Sequence, residues 1–177
     1  MLSVESLRRI EDILVNRISK ILRRRPWLMI VPYRVYRFFR PKYSMGAVGV
    51  LFNAQGQVLL VEHAFHPHTP WGLPGGWSDR HEHPEKTVER ELREELQIDV
   101  TAQQVIMIGI VYQNHLDVAI LCKAQDASVG QLSYELLDYG WFAPDDMPPV
   151  LPFHRDAIRH AATLLKVQPT DEKTYSP

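Results

Sequence analysis

Four charged residues near the middle of the chain could do chemistry together: Arg90, Glu91, Glu94 and Glu95. Three carboxylates fall within five positions, and carboxylates that close repel one another unless a cation joins them. Oxygen ligands with no cysteine nearby favour a hard ion, Mg²⁺ or Mn²⁺, which completes its shell with water and substrate phosphates. This spacing therefore suggests metal-assisted attack of water on a phosphate chain.

The four residues lie on a predicted helix that begins near Pro84, a residue suited to a first helical turn. At ~100° per residue, the apolar stripe of this helix comprises Val88, Leu92 and Leu96. Glu91 and Glu95 lie beside that stripe, and Glu94 lies further round the helix. We therefore expect the first two carboxylates at the edge of the core, where they need a cation or hydrogen-bond donors.

The same spacing also fits an acidic surface helix whose glutamates pair with Lys86, Arg90 and Arg93. On spacing alone, the two interpretations are equally favoured. The preceding turn, Leu73–Gly76, favours the metal site, because its exposed carbonyls can reach a cation and its N–H groups can reach a phosphate.

With this turn included, the segment from Gly76 to Ile98 resembles the Nudix box of the Nudix hydrolases, G-x5-E-x7-R-E-U-x-E-E-x-G-U, where U is aliphatic. The matching positions are Gly76, Glu82, Arg90, Glu91, Leu92, Glu94, Glu95 and Ile98. One position differs, since Gln97 stands where the family has glycine. Glycine suits a left-handed helix end, so Gln97 predicts a slightly strained or differently closed turn.

The resemblance implies a role for each matching residue. Glu91, Glu94, Glu95 and the Gly75 carbonyl would be metal ligands, and the cofactor would be Mg²⁺ or Mn²⁺. Arg90 would hold a glutamate in place by a charge-assisted hydrogen bond. Glu82 and Gly76 would support the junction between loop and helix. The general base varies within the family, which leaves Glu91 and the distal Glu135 as alternatives.

The implied fold is α+β, an α/β/α sandwich with a mixed sheet, extended at the N-terminus by helix. The implied activity is hydrolysis of a pyrophosphate bond in a sugar nucleotide, a nucleoside triphosphate or a dinucleoside polyphosphate. The alternative is a catalytically inactive Nudix-fold module that binds nucleotides or regulates. Because every carboxylate of the box is present, the enzyme is favoured.

Histidines and aromatic residues are frequent near the box. Two His-x-His pairs, at His66 and His81, raise the alternative of zinc, but no supporting ligand set accompanies them, so contacts to the loop or to phosphate are favoured. The residues that could bind substrate are His63, Phe65, Trp71 and Tyr112. Aromatic rings at such positions can stack on a nucleobase, although they more often anchor a loop or core.

Charge divides the chain into an arm and a body. Residues 1–45 carry 11 Lys and Arg against 3 Asp and Glu, a balance of +8, whereas residues 46–177 carry 9 against 18, a balance of −9. We expect a basic helical extension over 1–44, a Nudix domain over 45–167 and a disordered tail over 168–177. The arm could contact an anionic membrane surface or RNA, but packing on the body or on the second subunit of a homodimer is favoured.

The single cysteine, Cys122, lies in an apolar run and excludes a disulfide framework, so we expect a cytoplasmic protein. Periodicity predicts a helix over 4–24, a short helix near 32–39 and a closing helix over 153–166. It predicts a hairpin from strands 46–52 and 57–63, two paired strands over 100–113 and 116–124, and a short strand over 139–143.

Overall fold

The computed structural model describes residues 4–167, apart from the side chains of 4–7 and 9–13. The chain divides into two compact units, with the boundary between Lys42 and Tyr43. The C-terminal tail expected over 168–177 lies outside the described residues. No helix among residues 4–167 is long and apolar enough to cross a membrane.

The N-terminal unit contains helix α1, Val4–Arg24, and helix α2, Trp27–Phe38. The first agrees with its prediction, whereas the second begins five residues earlier than position 32, where the predicted helix starts. It can do so because Pro26 needs no N–H at the helix start, and its carbonyl accepts from the N–H groups of Met29 and Ile30. The expected contact of this unit with a membrane, RNA or a second subunit stays a prediction.

The second unit is an α+β body, and its described residues, 43–167, form seven strands and two helices. Its strands are β1 Ser44–Leu51, β2 Val58–His63, β3 Trp71–Gly72, β4 Gly75–Trp77, β5 Val100–Tyr112, β6 His115–Ala124 and β7 Leu136–Phe142. Its helices are α3 Pro84–Leu96 and α4 Pro152–Val167. One sheet has the strand order β4-β1-β6-β5, with β1 and β6 parallel, and the other has the antiparallel order β3-β2-β7.

The hairpin predicted from β1 and β2 is wrong. The turn itself forms, because the Asn53 side-chain oxygen accepts from the N–H groups of Gln55 and Gln57. Beyond the single bridge between Phe52 and Val58, however, the two strands enter different sheets. β6 occupies one edge of β1 along its whole length and β4 occupies the other edge at Gly46–Val48, while β2 pairs with β3 and β7.

Two apolar clusters make the body a sandwich. Ala47 and Leu51 of β1 pack in the cluster that contains the apolar stripe of α3, and Val48 and Val50 pack in the cluster that contains α4. Since successive side chains of a strand point to opposite faces, α3 and α4 cover opposite sides of the β-layer. The predicted α/β/α fold is thus confirmed.

Close packing sets the position of α3. A Cβ at Gly49 would lie 2.9 Å from Val88 Cγ2 and 3.1 Å from a Leu92 methyl group. The helix therefore rests almost directly on the backbone of β1. The same strand pairs with β4, so the sheet fixes both the helix and the glycine turn beside it.

Candidate active site

Helix α3 begins and ends as its sequence allows. Pro84 occupies the first turn, and Gln97 closes the helix in the left-handed conformation at φ 58°. Its side-chain oxygen accepts a hydrogen bond of 3.0 Å from the Gln131 N–H. A Cβ at Gly130 would collide with this same oxygen, so glycine there makes room for the glutamine. The helix closes with the usual left-handed geometry despite lacking glycine.

The glycine turn brings backbone against the helix. Gly75 has φ +145°, which side chains disfavour, and a Cβ there would collide with the Ala47 carbonyl. A Cβ on Gly76 would lie 2.6 Å from an oxygen of the Glu91 carboxylate. Gly75 therefore requires glycine, a side chain at Gly76 would displace the Glu91 carboxylate, and the backbone of the turn lies directly beside the carboxylates of α3.

Glu95 is the most enclosed of the three predicted metal ligands on the helix. It is only 6% exposed, and one oxygen accepts from the Gly75 N–H at 3.3 Å. Burial and, after it, the nearby Glu91 charge together raise its pKa to about 8, against the Gly75 hydrogen bond, which lowers it. Burial likewise raises the pKa of Glu91, although Arg90 opposes that shift. These carboxylates repel each other and lack water, which is the condition that a divalent cation relieves.

Arg90 donates hydrogen bonds to several groups of the site. Its guanidinium donates to both oxygens of Glu82 at 3.0 Å, to Glu91 at 2.9 Å and to Glu94 at 3.2 Å. It also donates to the Trp77 carbonyl at 3.1 Å. A planar guanidinium suits such forked contacts, so one side chain fixes the glycine turn to three glutamates.

Glu82 supports the start of the helix. Besides Arg90, it accepts from the Asp79 N–H at 3.0 Å and from the hydroxyl of buried Thr87 at 2.9 Å. The Arg90 hydrogen bonds lower the pKa of Glu82 to about 2. Glu82 is thus ionised near neutral pH, and its carboxylate accepts the hydrogen bonds that hold the loop against the start of the helix.

Glu94 lies apart from Glu91 and Glu95, with its side chain 62% exposed. Among the side chains that the structure describes, those of His, Cys, Asp and Glu form no ready-made cluster of three around one point. Mg²⁺ needs only one or two carboxylates and takes its other ligands from water and phosphate. Glu91 and Glu95, with the Gly75 backbone, therefore fit a hard divalent cation, and Glu94 is within one helical turn of them.

A cavity of about 210 Å³ adjoins Glu95, Gly75 and Gly76. One of its sides carries three imidazoles, which we call the histidine side: His63, His66 and His154. Glu135, exposed just before β7, also lines the cavity, and its charge acts on both Glu91 and Glu95. The structure therefore brings the distal base candidate to the same site as the helix.

Another part of the lining, which we call the paired side, is formed by Trp77, His115 and Asp117. The His115 ring bonds through Nε2 to an Asp117 oxygen at 3.0 Å and through Nδ1 to the Ser44 hydroxyl at 2.8 Å. Trp77, 60% exposed, lies against the His115 ring with centroids 4.8 Å apart.

Sequence reasoning missed His115, Asp117 and His154 as site residues. Alternation along β6 could have placed His115 and Asp117 on one face, but nothing local links either of them to α3. His154 stands two residues into α4, among apolar residues that indicate only a closing helix.

The predicted substrate-binding residues do not all lie together. His63, Phe65 and Trp71 line the cavity. Tyr112 is outside its lining but stacks on the His115 ring with centroids 5.3 Å apart. The other histidines of the His-x-His pairs, His68, His81 and His83, do not line it.

Comparisons with known proteins agree with this geometry. A family model described as the NUDIX domain matches residues 42–162. An ADP-ribose pyrophosphatase from Streptococcus suis is 28% identical, with a TM-score of 0.57 over 71% of this chain and 92% of that one. A MutT Nudix hydrolase from Burkholderia pseudomallei is 25% identical, with a TM-score of 0.59 over 68% of this chain and 98% of that one.

A UDP-X diphosphatase is 17% identical, with a TM-score of 0.60 over 94% of this chain and 85% of that one. At this identity the similarity supports the fold alone. No curated protein matches the chain.

Proposed function

The chain belongs to the Nudix family of hydrolases, and from that premise we propose that it cleaves a pyrophosphate bond in a nucleoside diphosphate-linked substrate with the help of Mg²⁺ or Mn²⁺. The observation that carries the proposal is the pair of crowded, desolvated carboxylates, Glu91 and Glu95, against the Gly75–Gly76 backbone. The similarity to solved pyrophosphatases supports the same reaction class.

Chemistry supplied by a bound divalent cation is neutralisation of phosphate charge and activation of a water molecule. The Glu91 and Glu95 carboxylates and the Gly75 carbonyl would hold that cation. Arg90 keeps the Glu91 carboxylate in place through a hydrogen bond of 2.9 Å to one of its oxygens. Because Arg90 is itself fixed by Glu82 and the Trp77 carbonyl, the carboxylate is oriented before substrate arrives.

Glu135 is the better placed of the two candidates for general base. Glu91 already accepts a hydrogen bond from Arg90, whereas Glu135 forms no salt bridge with the side chains that the structure describes. It lines the cavity beside Glu95, so its carboxylate can accept a proton from water at that point. Glu91 remains the alternative, since it is nearer to the glycine turn.

The alternative of an inactive module is less well supported, because Arg90, Glu91 and Glu95 are all in place around the turn.

We further propose that the enzyme works in the cytoplasm, in line with its single buried cysteine. Homodimer formation stays a prediction.

The test is hydrolysis of a panel of nucleotide substrates with Mg²⁺ and with Mn²⁺, comparing Glu95→Gln with Glu85→Gln. Glu85 is an exposed residue in the first turn of the same helix, so its change controls for the loss of one charge. We expect Glu95→Gln to lower kcat/KM by at least about 100-fold and Glu85→Gln to leave it unchanged. No turnover by the wild type, or equal turnover by both variants, would overturn the proposal.

A further inference from the structure

Positive charge is concentrated in the N-terminal unit. Residues 14–42 contain nine Lys and Arg and no Asp or Glu, in contrast to the acidic body. Among the side chains that the structure describes, none of these nine forms a salt bridge, since every ion pair involves residues from Glu82 onward. The charge of this unit therefore attracts an anionic partner.

The same residues expose many large apolar side chains. No side chain between residues 14 and 42 is buried, and thirteen large apolar or aromatic residues there are exposed, among them Phe38 at 75% and Phe39 at 78%. Helices α1 and α2 therefore do not cover each other's apolar side chains. Apolar surface on this scale marks a site of interaction, because its contact with water is unfavourable.

Helix α1 separates apolar and cationic residues onto different faces. Its described apolar residues are Leu14, Val15, Ile18, Ile21 and Leu22. Its described cations from residue 14 onward are Arg17, Lys20, Arg23 and Arg24. At ~100° per residue, the apolar set spans ~120° of the helix and the cationic set spans a separate ~120°. This division is typical of helices that lie in the plane of a membrane surface.

Helix α2 adds aromatic rings beside cations. Trp27, Tyr33 and Tyr36 belong to it, and none of its residues is buried. The guanidinium of Arg40 lies 5.0 Å from the centroid of the Tyr36 ring. Rings with an apolar body and a polar edge prefer the boundary between lipid and water. Arginine can lay its stem along apolar surface and keep its charge at the level of lipid phosphates.

Two other partners fit these observations less well. RNA would pair with the cations and stack its bases on the aromatic rings, but it offers nothing to exposed aliphatic side chains such as Leu14 and Ile18. A second copy, related by a two-fold axis through this unit, would bring like charges together. An anionic bilayer matches both features, because it has negative headgroups above apolar acyl chains.

We propose that the N-terminal unit binds the surface of an anionic lipid bilayer. The apolar stripe of α1 and the aromatic side chains of α2 enter the boundary of the acyl chains, and the cations contact the headgroups. The sequence alone favours packing on the body or on a second subunit, whereas the exposed apolar side chains of both helices favour a lipid surface. This inference is independent of the proposed hydrolysis, because it concerns where the protein acts.

Co-sedimentation of the full chain with vesicles tests the proposal. One set of vesicles is phosphatidylcholine alone, and the other is equal parts phosphatidylcholine and phosphatidylserine. We expect the affinity for the anionic vesicles to be at least about tenfold higher, and to fall in high salt because salt screens the charges. No binding to the anionic vesicles, as when the body or a second copy covers this unit, overturns the proposal, and so does equal binding to both sets.

A charge variant separates this unit from the cations of the body. Arg17→Gln with Arg24→Gln should lower the affinity for the anionic vesicles about 10- to 30-fold. The matched control, Lys123→Gln with Arg159→Gln, removes two exposed cations from the body and should change that affinity much less. Equal losses in the two double variants would contradict the assignment to the N-terminal unit.

An apolar variant separates lipid from RNA. Leu14→Gln with Ile18→Gln keeps residues that favour helix and removes apolar surface, so it should weaken vesicle binding about tenfold or more. The matched control, Ile108→Gln with Ile110→Gln, changes exposed residues of β5 and should have little effect. Undiminished vesicle binding by the first variant overturns the proposal, and tight binding of single-stranded RNA by that variant and by the wild type would then identify RNA as the partner.

Discussion

The two sides of the cavity each bury a histidine, and the two histidines differ in what their ring nitrogens do. His115 on the paired side is 6% exposed and has both nitrogens engaged, by Asp117 and by Ser44. His154 on the histidine side is 7% exposed but has only one nitrogen engaged, by the Leu73 N–H. Nearly equal burial therefore accompanies a saturated ring in one place and an open donor in the other.

This difference shows that the number of satisfied polar atoms, and not burial, separates a structural histidine from one that can bind a ligand. A saturated ring has no further hydrogen bond to offer without losing one. A buried ring with an unmet donor is stable only if the cost of that donor is met by water or by a ligand. The paired side is therefore a support, whereas the histidine side keeps a ring nitrogen of His154 for which the described residues show no partner.

The largest expected effect on stability lies on the paired side. His115→Leu leaves the buried Asp117 carboxylate and the Ser44 hydroxyl without their partner, and should lower the free energy of unfolding by about 2–4 kcal/mol. The double variant His115→Leu with Asp117→Leu removes the stranded charge and should recover most of that loss. Urea denaturation of both variants measures this, and a double variant no more stable than the single one would contradict the view of the pair as support.

A smaller change in the free energy of unfolding is expected from protonation of the histidines on the histidine side. Because the folded pKa of His154 and His63 lies at about 4, below the ordinary 6.5, the unfolded chain binds more protons between these values. The free energy of unfolding should therefore fall as pH drops from about 6.5 to about 4. His154→Leu should make that decrease shallower in denaturation curves taken across this range, and His160→Leu should not.

The stability contribution of Glu95, which also lines the cavity, has the opposite pH dependence in the metal-free protein. Its folded pKa of about 8 lies above the ordinary 4.5, so the folded state holds the extra proton and is destabilised as pH rises from 4.5 to 8. Glu95→Gln should remove this dependence, and Mg²⁺ should raise the thermal midpoint of the wild type more at pH 8 than at pH 6. An equal rise at both values, or an unchanged pH dependence in Glu95→Gln, would count against the assignment.

The smallest expected effect concerns the loop that delivers Glu135 to the histidine side. Gly130→Ala should cost about 1–2 kcal/mol, because the new methyl group meets the Gln97 side chain. In a Gln97→Gly background the same change should cost much less, which gives a coupling that a double-mutant cycle measures. Additive costs would mean that the loop is not held by Gln97.

Much of the helix and of the candidate site on it could be predicted from sequence. Arg90, Glu91 and Glu95 are neighbours on one helix, so a spacing rule suffices to place them on one face. The predicted pairing of β2 with β1 was wrong because strand pairing is not a local property. The turn at Asn53 is compatible with a hairpin, but β1 pairs with β4 and β6 instead.

The sequence by itself determined the family, the α+β class and the carboxylate helix, since these depend on periodicity and on a motif read over 23 consecutive residues. Only the tertiary structure decided how the cavity is lined. Its defining contacts join residues 81 positions apart, in the Leu73–His154 hydrogen bond, and 71 apart, in the Ser44–His115 hydrogen bond. Whether a buried histidine is saturated or open depends on partners that only folding supplies, because hydrogen bonds act over distances far shorter than such separations along the chain.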